Sequence, residues 1–65
     1  MAYKLKARRV EKGIKQSTFA KEMGITPQYL CKIEKGEADP RRDLMMRISK
    51  ALEASPQELF FNEEN

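Results

Sequence analysis

Glycine and proline fall in this chain at intervals that permit short helices and little else. Gly13, Gly24, Gly36, Pro40 and Pro56 interrupt it, and no stretch alternates polar and apolar residues for more than a few positions. Strands are therefore not expected. Residues 2–12 (AYKLKARRVEK) hold no breaker and stop at Gly13. Residues 16–23 put Phe19, Ala20 and Met23 on one face and stop at Gly24. Thr26 offers an N-cap and Pro27 a first-turn proline, which predicts a third helix over 27–35. Glu37-Ala38-Asp39-Pro40 reads as loop. Over 42–53, Leu44, Met45, Ile48, Ala51 and Leu52 form the cleanest apolar stripe in the chain. Ser55-Pro56-Gln57-Glu58 is a capping box that opens a fifth helix over 56–61, carrying Leu59 and Phe60. The expectation is one all-α domain spanning 1–65. Its first helix is the least supported, since Leu5 is the only large aliphatic on the face shared with Arg9 and Lys12, and Val10 lies off that face.

Composition narrows the function. With 65 residues, folding buries only about 60% of the surface of the unfolded chain, so the core is too thin to enclose a large pocket. Hydrophobic residues make up 40% and charged residues 35%, too apolar for a disordered tail and too charged for a membrane protein. No apolar run reaches the ~18–20 residues of a membrane span, and MAYKLKARR lacks the apolar stretch of a signal peptide. A lone cysteine, Cys31, forms no internal disulfide, and the chain reads as cytoplasmic. Histidine is absent and the glycines are isolated, so zinc sets, the usual general base and phosphate loops are all missing. Neither an enzyme nor a metal or cofactor site is expected. The Met23, Met45 and Met46 set reads as core filler. Charge is uneven: residues 1–50 hold all 13 basic side chains against six acids, a charge of +7, while 51–65 carry −4. That body suits an anionic partner.

A turn with specific demands lies between the second and third helices. Gly24 tolerates the left-handed conformation that reverses the chain, Ala20 lets two helices approach, and Leu30 and Ile33 stack one turn apart. The ordered set Gln16, Ala20, Gly24, Leu30 and Ile33 predicts a helix-turn-helix over about 16–35. Here the chain resembles the Cro/CI-type (XRE) helix-turn-helix domain, through LKARRVEKGIKQSTFAKEMGIT, QYLCKIEKGEADP and LMMRISKALEASPQELF. The resemblance covers about residues 5–60 and is most specific at Ile33-Glu34-Lys35-Gly36 with Pro40. It implies a five-helix, lambda-repressor-like domain that binds operator DNA as a two-fold dimer and regulates transcription, as a repressor. It further implies a nucleoid-associated protein of bacterial or phage derivation. Lys15 and Arg41 depart from the Ser or Thr that usually caps the second and fourth helices, and Pro27 occupies a position that often carries a polar, DNA-contacting side chain.

At 100° per residue, Leu30, Ile33 and Glu34 share the inner side of the third helix, and Gln28, Cys31, Lys32 and Lys35 share the outer. The outer stripe is expected in the major groove of double-stranded DNA. Gln28 can pair with adenine N6 and N7, and Lys32 can donate to guanine O6 or N7. Pro27 and Cys31 flank them. The resemblance implies a phosphate contact at Gln16, whose helix N-terminus favours an anion. Tyr29, Lys35, Arg41 and Arg42 are further phosphate candidates, and Lys4, Lys6 and Arg8 are a third group. Cys31, as a lone cysteine on a half-exposed helix, is ordinarily inert, with a redox switch as the sharper alternative.

Arg9 and Glu34 both project inward and are expected to form a buried ion pair, a placement the resemblance supports. A helix cannot turn Leu59, Phe60 and Phe61 all toward its own core. The first two match the family's inward pair, which leaves Phe61, with Leu52 or Pro56, to face a partner copy. The alternative function is an antitoxin-like or anti-repressor module that binds an unknown protein, using Phe60 and Phe61 as its apolar patch, with DNA binding secondary.

Overall fold

The computed structural model describes residues 4–61, which form α1 (Leu5–Glu11), α2 (Gln16–Met23), α3 (Pro27–Glu34), α4 (Arg42–Leu52) and α5 (Pro56–Phe60). No strand occurs among the described residues. The first residues expected in α1, and Glu63 and Glu64 of the acidic end, lie outside them. α1, α3, α4 and α5 end a residue short of the expected bounds, because Lys12, Lys35, Glu53 and Phe61 serve as C-caps, and Lys4 is the N-cap of α1 rather than part of it.

The helices pack around Leu5, Phe19, Leu30, Ile33, Ile48, Leu52 and Leu59, all fully buried. α2 lies against α3 and α4, and α5 lies against α1 and α4. Along α4 the core face is Leu44, Ile48 and Leu52, at i, i+4 and i+8. Two members of the expected α4 stripe and methionine set differ: Ala51 is exposed, and Met46 is 52% exposed rather than core filler. Both sit off the i, i+4, i+8 line.

Local chemistry sets the ends of the helices. Gly24 adopts φ 75°, with its N–H on Lys21 O and the N–H of Ile25 on Ala20 O at 2.9 Å, closing α2 in a left-handed cap. A Cβ at Gly24 would meet nothing within 4 Å, so backbone conformation alone demands glycine there. Thr26 Oγ1 accepts the N–H of Tyr29 at 3.1 Å, ahead of Pro27. The box at α5 is complete: Glu58 N–H donates to Ser55 Oγ at 3.2 Å and Ser55 N–H donates to Glu58 Oε1 at 3.1 Å.

α4 ends without a glycine, and Glu53 takes φ 54°. Side chains of α1 bind at this corner. Arg8 Nε donates to Leu52 O at 3.2 Å, Arg8 Nη2 donates to Glu53 O at 3.1 Å, and Lys12 Nζ donates to Glu53 Oε1 at 3.0 Å. The Lys12 hydrogen bond, reinforced by the charges of Lys12 and then Arg8, holds the Glu53 carboxyl below its ordinary value. The sequence places Arg8 among the phosphate candidates. In the structure its guanidinium hydrogen-bonds helix-end carbonyls, where the dipole favours a cation.

A buried polar joint connects α1 to α3. Arg9 Nε donates to Glu34 Oε2 at 2.6 Å, Arg9 Nη2 donates to Glu34 Oε1 at 3.2 Å, and Arg9 Nη1 reaches Ile14 O at 2.7 Å. The two side chains are 6% and 2% exposed. Among the described residues no buried side-chain nitrogen or oxygen lacks a hydrogen-bond partner.

Two stability predictions arise from this architecture. Gly24→Ala forces a Cβ into the left-handed region and is expected to cost about 1–2 kcal/mol; an unchanged urea midpoint would refute the conformational argument. Glu34→Gln or Arg9→Met leaves a buried group without its counter-charge, at a cost of roughly 3–5 kcal/mol. A chain of this size has a total stability of roughly 3–10 kcal/mol, so either change should remove much of it. Thermal melts against the exposed-site control Glu22→Gln decide the matter, and equal shifts would show that the pair contributes nothing specific.

Candidate nucleic-acid interface

The turn at Gly24 aims α3 so that Leu30, Ile33 and Glu34 are buried and the opposite side faces solvent. On that outer side Pro27, Gln28, Lys32 and Lys35 are exposed and Cys31 is half-buried. Together with Gln16, from the first turn of α2, these residues line one shallow, open concavity. Six of the residues expected to meet DNA are thus neighbours, although they come from two helices. Glu37 completes the rim. Nothing in the sequence singles it out, because a loop glutamate reads as solvated; its N–H donates to Lys32 O at 2.8 Å, which wraps the loop over the end of α3.

Tyr29 and Arg41 border a second shallow concavity with Asp43, Leu44 and Arg47. Arg42 is exposed at the first position of α4. Arg47, also absent from the sequence-derived candidates, donates through Nη1 to Met23 O at 3.1 Å and stands 3.7 Å from Asp43. It therefore supports the end of α2 beside the turn. No sequence signal separates such an arginine from a solvated one, since its acceptor lies 24 positions away.

Gln16 has a specific local environment. Its Nε2 donates to Glu34 Oε1 at 2.9 Å, while the residue also lines the outer concavity. Its N-cap, Lys15, makes no side-chain capping bond, and neither does Arg41 ahead of α4. The surface therefore combines amide and ammonium donors from α3 with helix starts whose first N–H groups take no acceptor from the N-cap side chain. Apart from the Glu37 carboxylate on its rim, it presents donors, which suits an anionic ligand with acceptor-rich edges.

At the far end, the expectations for a partner surface need one correction. Leu52 is fully buried beneath α5 and offers no surface. The stripe with Leu44 and Ile48 fixes it inward. Phe61 is 54% exposed and Pro56 half-buried. Phe60 is buried, so the double-phenylalanine patch expected for a protein partner does not exist. Among the described residues no helix is long and apolar enough to cross a membrane.

Comparison with known proteins agrees with this arrangement. A family model described as helix-turn-helix matches residues 5–59. An HTH-type transcriptional regulator of Methanocaldococcus jannaschii is 32% identical over 65 residues, covering 100% of this chain and 98% of that protein. The crystal structure of the restriction-modification controller protein C.AhdI from Aeromonas hydrophila superposes with a TM-score of 0.75 at 30% identity, covering 88% of this chain and 83% of that one. The chain belongs to the XRE-type helix-turn-helix family of DNA-binding transcriptional regulators.

Proposed function

We propose that this regulator acts as a homodimer that represses transcription by holding an inverted-repeat operator, with α3 of each protomer in the major groove. The convergence of Gln16, Gln28, Lys32 and Lys35 on one exposed face carries the reading. In it, Gln28 reads adenine, Lys32 reads guanine, and Pro27 and Cys31 supply the apolar contacts beside them. Gln16, Tyr29, Lys35, Arg41 and Arg42 hold phosphates and set the register. Catalysis has no part in this reading, and the protein works on cytoplasmic DNA.

A two-fold dimer follows from arithmetic of readout. One short helix reads a few base pairs, too few to single out a site in a genome. Two copies double the readout and require half-site centres about 34 Å apart. Phe61, together with Pro56, is the apolar surface assigned to the partner copy. The −4 charge of residues 51–65 favours an end turned away from phosphate.

Binding should depend steeply on salt. With about 6–10 phosphates contacted per dimer, log K falls against log salt at roughly −0.9 per phosphate. Arg42→Ala is expected to weaken every sequence alike and flatten that slope by about one for each phosphate it no longer neutralises. Lys32→Ala should instead cost on the order of 1–3 kcal/mol at particular base pairs, measured by titrating a selected operator and its single-base variants. Equal loss on cognate and random duplexes would move Lys32 to the backbone.

The dimer is tested separately. Phe61→Ser is expected to give a folded monomer in sedimentation, with weakened operator binding. A dimer that survives the change would place the interface elsewhere.

A further inference from the structure

We infer that Glu34, besides neutralising Arg9, is a positioning residue for DNA: it fixes the Gln16 side-chain amide so that an N–H faces the phosphate. The inference rests on the DNA-binding reading above and on three distances. Glu34 Oε2 takes Arg9 Nε at 2.6 Å, and Glu34 Oε1 takes both Arg9 Nη2 at 3.2 Å and Gln16 Nε2 at 2.9 Å. One buried carboxylate thus serves a cation from α1 and an amide from α2 while standing on α3.

The chemistry dictates the polarity of that amide. A glutamine side chain ends in one acceptor oxygen and one nitrogen with two donors. A carboxylate only accepts, so it selects the nitrogen and repels the oxygen, which removes the usual freedom of an amide to flip. Glu34 engages one N–H, and the second is left for the concavity that Gln16 itself lines. A phosphate also only accepts. The group presented is therefore the one it requires, already ordered before DNA arrives, so less rotamer freedom is lost on binding. Without the carboxylate, Gln16 is a long side chain at a helix start, free to present either end.

A double-mutant cycle tests this, using a selected operator duplex and the full chain. Gln16→Ala is made in the native background and in an Arg9→Met/Glu34→Leu background, whose paired apolar replacement strands no charge. In the native background the expected loss is roughly tenfold per half-site, the worth of a charge-assisted hydrogen bond. In the paired background it is expected to fall below about twofold, the ordinary error of additivity. Because Gln16 is neutral, the salt slope should stay unchanged in both. A purely structural role for Glu34 would lower affinity without altering the cost of Gln16→Ala. The same tenfold cost in both backgrounds therefore overturns the inference, as does no cost in either.

If the paired variant does not fold, the native protein still decides. The Gln16 side-chain amide should be rigid in NMR relaxation and shifted from that of exposed Gln57. Equal mobility of the two overturns the inference. Failure of the parent reading looks different: the native chain would bind no duplex in a salt-dependent way, and both ideas would fall together.

Discussion

The orientation of the third helix depends on the turn at Gly24 and on a single buried charge pair. Apolar burial is non-directional, and the large buried side chains of so small a core would tolerate small slides of one helix on another. A bidentate contact does not. Arg9 offers a planar fork, Glu34 accepts two of its donors, and Arg9 Nη1 binds Ile14 O, so α1, the first turn and α3 have one mutual arrangement in which every group is satisfied. Such a pair need not be more stable than a well-packed apolar substitute. What it supplies here is register for the helix that carries the outer donors.

The same logic explains why α1 belongs to the fold despite its poor apolar stripe. Leu5 is its one large buried hydrophobic, and Val10 is 56% exposed. Its remaining attachments are cationic: Arg8 on the carbonyls of Leu52 and Glu53, Lys12 on the Glu53 carboxylate, and Arg9 on Glu34. These contacts also reassign part of the +7 body. Arg8, Arg9, Lys12 and Arg47 all have acceptors or counter-charges within the protein, so the cations available to an anionic partner are fewer than the count implies, with Lys32, Lys35, Arg41 and Arg42 on α3 and at the start of α4 among them. A charge count over the sequence cannot make that division, because it depends on which carbonyls the fold brings within reach.

What is legible in the sequence is local. Gly24, Thr26-Pro27 and the Ser55–Glu58 box each act within four residues, and each marks a helix end in the structure. The outer stripe of α3 follows from helical period alone. Apart from the Arg9–Glu34 pair, 25 positions apart and expected because both side chains project inward, what escapes is contact between distant segments. Arg8 meets acceptors 44 and 45 positions away, and the Gln16–Glu34 bond spans 18. Glu53 shows the local limit: nothing in its identity signals a left-handed cap, and two α1 side chains hold it there. Leu52 misleads for a different reason. Phe61 and Leu52 are both large and apolar near the α5 end, and only the i, i+4, i+8 line of α4 separates buried from exposed.

The capping pattern ties stability to function. α3 and α5 start with side-chain caps, whereas α1, α2 and α4 start at Lys4, Lys15 and Arg41 with none. Replacing a good N-cap commonly costs about 0.5–2 kcal/mol, so three such omissions matter in so small a chain. Two of the three border the candidate interface. α2 begins at Gln16, on the concavity shared with Gln28 and Lys32, and Arg41 borders the concavity shared with Tyr29. An intramolecular Ser or Thr would occupy the N–H groups that a phosphate oxygen can take. Under the DNA-binding reading, the helix starts nearest the recognition helix lack their own acceptors, and the ligand completes them. At α5 the capping box closes the helix start from within the chain, whereas α1, uncapped at Lys4, stands outside this pattern.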